Sequence, residues 1–190
     1  MIDHRHRCIF IHQRKVAGIS IADAWGYSQE EIEDIGSDFN RFNDGTLSWD
    51  WNDRTEDERR YFVFSAVRNP FDRLISSWKF LDSTKNRTLL NVLENLPEHT
   101  PDFEHLTRPQ IEILREHGTK TLAVDDLIRF ETLQQDFDRV CDRIGRPRLV
   151  LPHINTSQRE LGYRQYFDSR TRRLAEKHFA EDLEMFGYEY

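Results

Sequence analysis

The chain has 190 residues, a net charge of −7, and 37% hydrophobic and 12% aromatic residues. This is the composition of a globular protein long enough to bury a substantial core. It contains no run of about 18 apolar residues that could span a bilayer, and its acidic balance argues against nonspecific nucleic-acid binding, which requires a basic surface to neutralise phosphates. A small anionic ligand remains compatible, because a few local cations and backbone amides decide that.

The apolar run after the basic N-terminal residues is too short for a signal-peptide core, so a soluble, cytoplasmic protein is expected. In chain order, "RCIFIH" reads as a buried strand, and a polar turn then leads into a helix over residues 19–27. Residues 28–60 are rich in turn formers and aromatics and read as a loop-rich insertion. "YFVFSAV", residues 61–67, is apolar almost throughout, as a central parallel strand requires. A helix starts at Pro70, with Asn69 as N-cap and Asp72 completing a capping-box-like pair. Phe71, Leu74, Ile75 and Trp78 give it one buried face. Shorter helices are predicted over 87–96 and 108–117, with a third strand at "TLAV", residues 121–124. A strongly amphipathic helix over 131–144 is stopped by Gly145 and Pro147, and one further helix covers 169–186. Cys8 and Cys141 fall at apolar positions of a strand and a helix and read as buried free thiols. The alternation of strands and helices predicts an α/β layer fold, a single domain over 1–190 with a mostly parallel sheet.

In such sheets ligands sit at the carboxyl ends of the strands. The loop "HQRKVAGIS" is placed there, with Gly18 to admit a close backbone approach, Lys15 as a mobile cation and Ser20 as a hydroxyl. The lysine follows no glycine and precedes Val16, so the spacing of the nucleoside-triphosphate P-loop is absent, and so is a G-x-G-x-x-G fingerprint. Alone, the segment fits a phosphate cradle and an ordinary strand-turn-helix corner equally well. The second strand ends at Arg68, with Ser76 about 10 Å further along the next helix at 1.5 Å per residue. A guanidinium can cover most of that gap, so the two side chains could close on one phosphate. Two anion sites then describe one ligand with two phosphate groups.

"IFIHQRKVAGISI" resembles the 5′-phosphosulfate loop of sulfotransferases that use 3′-phosphoadenosine 5′-phosphosulfate (PAPS), and "FSAVRNPFDRLISSWKF" resembles their 3′-phosphate motif. "LIRFETLQQDFDRVCDRIG" and the segment from "LPHINTSQR" onward resemble later parts of the carbohydrate-type sulfotransferases. The resemblance implies a P-loop-like, three-layer fold. It also implies in-line transfer of a sulfuryl group from PAPS to an acceptor hydroxyl of a sugar, lipid or small metabolite, releasing 3′-phosphoadenosine 5′-phosphate (PAP) without a metal. By the same resemblance Lys15 contacts the phosphosulfate bridge, and Arg14, Lys15, Val16, Ala17, Gly18, Ile19 and Ser20 form the 5′ cradle. Arg68 and Ser76 hold the 3′-phosphate, and Ser157 and Arg159 reach it from a covering loop. The family's loop proline and threonines are replaced here by Arg14, Val16 and Ile19.

The family's general base lies between the two phosphate motifs, where this sequence has no histidine from Trp25 to Pro97. Asp44, in an Asn-Asp-Gly turn among aromatics, is the first candidate and His105 the reserve; Asp34, Glu30 and Glu31 are further carboxylates. His12 and Arg73 read as structural residues. Trp49, Trp51 and Trp78 fit both an acceptor cleft and the core. The missing histidine leaves open a PAP-binding protein without transfer, and a P-loop kinase is a weaker alternative. Oligomeric state is not legible.

Overall fold

In the computed structural model, residues 1–27, 54–96, 100–116, 119, 121–152 and 162–190 are described. Four strands form one sheet in the order β1-β2-β3-β4: Ile2–Asp3, Cys8–Ile11, Phe62–Val67 and Asp126–Arg129. β1 is antiparallel to β2, whereas β2 to β3 and β3 to β4 are parallel, with Phe10 opposite Phe64 and Phe64 opposite Asp126.

Alternation along the strands sends side chains to two faces. On one face Cys8, Phe10, Phe64, Ala66 and Ile128 pack with Ile21 and Trp25 from α1 (Gly18–Ala24) and its end, and with Phe137, Val140 and Cys141 from α6 (Leu133–Ile144). The Phe10 and Phe64 rings lie 5.1 Å apart, and Trp25 meets Phe64 edge-on at 5.4 Å. On the other face Val67 packs with Ile111 and Leu114 of α5 (Gln110–Leu114) and Phe186 of α8 (Ala180–Phe186). The result is a mixed α/β sheet with helices on both sides. Both cysteines are free and buried, and burial pushes their thiols up, to about 12 for Cys8 and about 11 for Cys141.

α2 (Pro70–Phe80) starts where predicted, with the Asn69 side chain accepting from the Phe71 N–H. The capping-box pair does not form, because the Asp72 carboxylate is taken by Arg68 and the Asn69 N–H donates instead to Glu131. Phe71, Leu74 and Ile75 are fully buried against α3 (Leu89–Glu94), α4 (Pro101–Leu106) and α7 (Ser169–His178).

Several elements depart from expectation. The third strand is "DLIR", not "TLAV". Residues 121–124 instead form a connector, with Leu122 bridged to Arg115 and the Ala123 N–H donating to the Leu114 carbonyl. Among the described residues β4 pairs on one side only, so its outer residues need not be apolar, and within β4 Ile128 alone is fully buried. The helix expected over 169–186 is interrupted at Phe179 (ψ 19°). Beyond that break Asp182 accepts the Gln110 and Ile111 N–H groups at the start of α5. α1 stops at Ala24, since Gly26 (φ 83°) turns the chain. α4 was not predicted, although Thr100 caps it and Pro101 opens it. Of the region expected as an insertion, residues 54–60 form a turn and a short 3-10 helix pinned by the Arg7–Asp57 pair; residues 28–53 lie outside the described residues.

Candidate functional site

Because β2 and β3 run parallel, their carboxyl ends share one edge of the sheet, and the loop after each emerges beside the other. The Gln13 amide donates to the Ala66 carbonyl at 3.3 Å, and the Ser65 hydroxyl donates to the Ile11 carbonyl at 2.7 Å. These bonds fix the root of the loop that carries Arg14 to Ala17.

Within that loop the left-handed residues are Lys15 (φ 66°) and Ala17 (φ 70°). Neither is glycine, so each carries a steric cost of about 1 kcal/mol or more that the surroundings must offset. Gly18 also admits a close approach within the protein itself. Its missing side chain makes room for a protein ring, since a Cβ there would stand 1.6 Å from Cδ2 of His12. Burial, with the N-terminal ammonium and then Arg14 as lesser causes, drives the His12 pKa down to about 3. Val16 is fully buried and anchors the loop in the core, Ser20 is buried, and Ile19 is exposed.

Two arginines of the following segment hold the loop. Arg68 donates through Nη1 to the Lys15 carbonyl at 3.1 Å, and Arg73 donates through Nε to the Arg14 carbonyl at 3.2 Å. The left-handed turn at Lys15 is thus braced on consecutive carbonyls. Arg68 is buried, pairs with Asp72 at 2.6 Å and lies 3.8 Å over the Phe130 ring. Its main chain is gripped by the Gln110 amide, which accepts from the Arg68 N–H and donates to its carbonyl, each at 2.9 Å. Gln110 is in turn held by the buried Asp182. Ser76, two turns along α2, is buried.

On the open side, Lys15 places Nζ 3.7 Å above the Phe80 ring. The same ring stacks with His105 of α4, centroids 5.9 Å apart. His105 buries Nδ1 without a hydrogen-bond partner among the described residues, which leaves Nε2 as the nitrogen able to meet a ligand. Its pKa falls to about 3, first through burial and then through the positive charges of Arg14, Lys15 and Arg73. The imidazole is therefore neutral near pH 7. Its environment also shows that this edge of a chain with net charge −7 is locally cationic.

Of the residues expected in the site, the structure brings Arg68 onto the Lys15 carbonyl and sets Lys15 and the reserve base His105 on one ring, that of Phe80; Ser76 lies on α2, which starts two residues after Arg68. Trp78 belongs to the core: its Nε1 donates to the Arg87 carbonyl and its ring meets Tyr166 edge-on. Asp44, Asp34, Glu30, Glu31, Trp49, Trp51, Ser157 and Arg159 lie outside the described residues. Sequence reading missed Phe80 and Gln110. Phe80 carried no signal beyond its place at the end of α2, and Gln110 reaches Arg68 only through tertiary packing. Among the described residues no group of three His, Cys, Asp or Glu could hold a metal ion, and no helix is long and apolar enough to cross a membrane.

A family model described as the sulfotransferase family matches residues 1–189. No curated protein and no solved structure shows significant similarity to the chain.

Proposed function

Because the chain belongs to the sulfotransferase family, we propose that it transfers the sulfuryl group of PAPS to an acceptor hydroxyl, with His105 as general base. The observation that carries this reading is the Arg68–Lys15 hydrogen bond, which joins the 3′-phosphate motif to the phosphosulfate loop. One ligand with two phosphates fits such an edge better than two unrelated anions do.

The site chemistry follows from the residues. The 3′-phosphate lies against Arg68 and Ser76, where the arginine already has its orientation set by Asp72 and Phe130. The loop from Arg14 to Ser20 surrounds the 5′-phosphate, and Lys15 leaves the Phe80 face to meet the bridging oxygen. The acceptor hydroxyl approaches sulfur opposite that oxygen. As the new O–S bond forms, the bond from sulfur to the bridging oxygen breaks, its electron pair leaves with PAP, and Lys15 stabilises the charge. The acceptor proton passes to Nε2 of His105, which requires the Nδ1–H tautomer. Positioning and charge stabilisation carry the reaction. A sugar, lipid or small metabolite fits the acceptor role, and Ser157 and Arg159 would add to the 3′-phosphate grip.

His105 favours transfer over binding alone, because a neutral imidazole shares the Phe80 ring with the transfer lysine. Calorimetry with PAP and with ATP plus magnesium tests the donor site: PAP should bind without metal. Binding of magnesium-ATP but not PAP would reject the reading in favour of a kinase. Labelled PAPS incubated with a panel of hydroxylated acceptors should yield labelled product. PAP binding with no transfer across that panel would instead indicate a nucleotide binder.

A further inference from the structure

Arg73 is 1% exposed and is the bulkiest fully buried side chain among the described residues. Burying a guanidinium is costly, and nothing in the nucleotide contacts above uses it. Its bonds tie two segments that must act together. Nε donates to the Arg14 carbonyl in the phosphosulfate loop, and Nη1 donates to the Arg108 carbonyl at 2.9 Å, just past the helix that carries His105. The same helix α2 also holds His105 directly, since the Ser77 hydroxyl donates to its carbonyl, and α2 ends at Phe80, on which Lys15 and His105 both rest. From the other side His178 Nε2 is 2.6 Å from the Thr107 carbonyl.

We infer that Arg73 is a positioning residue for sulfuryl transfer, setting the separation between the transfer lysine and the base by spanning the Arg14 and Arg108 carbonyls. The inference rests on the PAPS reading above. A fork of fixed geometry suits this role because one planar group reaches two carbonyls at once. Lysine offers the charge without the span. Misplacing reacting groups by about 1 Å can cost on the order of 100-fold in rate. Binding of the 3′-phosphate, which rests on Arg68 and Ser76, should be nearly indifferent.

The test is Arg73→Lys in the full chain. The expected result is a roughly 100-fold lower kcat per PAP-binding site, with the Kd for 3′-AMP within about threefold of wild type. Hydrogen exchange should also be faster at the amides of residues 14–18 and 105–109. A folded variant with unchanged exchange in both segments, or with unchanged kcat per PAP site, overturns the inference, because a merely structural arginine would change melting temperature and neither of those. If Arg73→Lys does not fold, the wild-type protein decides. The Arg73 Nε–H resonance should be protected from solvent and should shift on adding PAP, and an unshifted signal in the PAP-bound protein overturns the inference equally. Should wild type bind no PAP at all, the donor reading fails, while the exchange comparison still decides whether Arg73 braces the loop.

Discussion

Arg68 Nη1 sits 3.1 Å from the main-chain oxygen of Lys15, so the arginine proposed for the 3′-phosphate also braces the turn that carries Lys15. Arg68→Ala should therefore damage more than nucleotide affinity. Ser76→Ala, which removes a hydroxyl without touching the loop, should raise the KM for PAPS and leave kcat within about threefold, whereas Arg68→Ala should raise KM and lower kcat by about tenfold or more. Steady-state kinetics on the two variants checks this. Equal kcat values would separate the two motifs functionally.

Lys15→Ala removes the cation proposed to meet the breaking bond. Loss of one such stabilising donor typically costs about 3 kcal/mol of barrier, or 100-fold or more in kcat. PAP should still bind through Arg68 and the loop amides. Calorimetry alongside turnover distinguishes this from collapse of the site, which would abolish both.

His105, with its pKa held near 3 by burial and by neighbouring cations, is already in its basic form throughout the neutral range. The profile of kcat/KM should be flat from about pH 5 upward, without the acid limb near 6.5 that an unperturbed histidine gives. In the kcat profile the limb should move up, because bound PAPS brings negative charge against those cations. His105→Ala should lower kcat with little effect on PAP affinity. An acid limb between pH 6 and 7 in kcat/KM would mean that His105 is not depressed, and an unchanged kcat in His105→Ala would argue for another base, with Asp44 the next to test.

The same shifts bear on stability. His12 and His105 both have folded-state pKa values of about 3 against an ordinary 6.5, so between those values the unfolded chain binds more protons than the folded one. The stability contributed by neutral burial is thus complete above pH 6.5 and declines as pH falls toward 3. Each fully coupled histidine contributes a slope of up to about 1.4 kcal/mol per pH unit, less for the partly solvated His105. Urea midpoints measured at pH 7.5, 6 and 5 should fall in that order, and His105→Gln should flatten the decline.

Gly18→Ala drives a methyl group into the His12 ring. Such overpacking typically costs about 1–3 kcal/mol. The double variant Gly18→Ala/His12→Ala should regain part of that loss, as read from urea unfolding. No recovery would mean that the glycine serves the backbone and not the ring.

Legibility in the sequence followed the range of the interactions. β3 was readable because a strand covered on both faces must be apolar at nearly every position, and Phe62–Val67 is. The start of α2 was readable because Asn69 and Pro70 act on their own backbone. β4 was misplaced because an edge strand tolerates Asp126 and Arg129, while the more apolar residues 121–124 serve as a connector. The break at Phe179 carries no glycine or proline, since it accompanies tertiary bonds from His178 and Asp182. In the candidate site, the approach of Arg68 to the Lys15 loop was legible from the order of strands and turns. That Lys15 and Ala17, not Gly18, take the left-handed turns was not, because backbone strain is held by partners such as Arg68 and Arg73 from another segment.

The sheet register also bears on how the protein folds. β3 has both neighbours far away in sequence, with Cys8 opposite Phe62 on one side and Phe64 opposite Asp126 on the other. Loop closure must precede the gain from either pairing, so folding should be slow for a chain of this size and limited by the docking of three distant segments. Arg68 and Lys15 come within reach of each other only once β2 and β3 have zipped. A nucleotide added during refolding should therefore leave the refolding rate unchanged and slow unfolding instead.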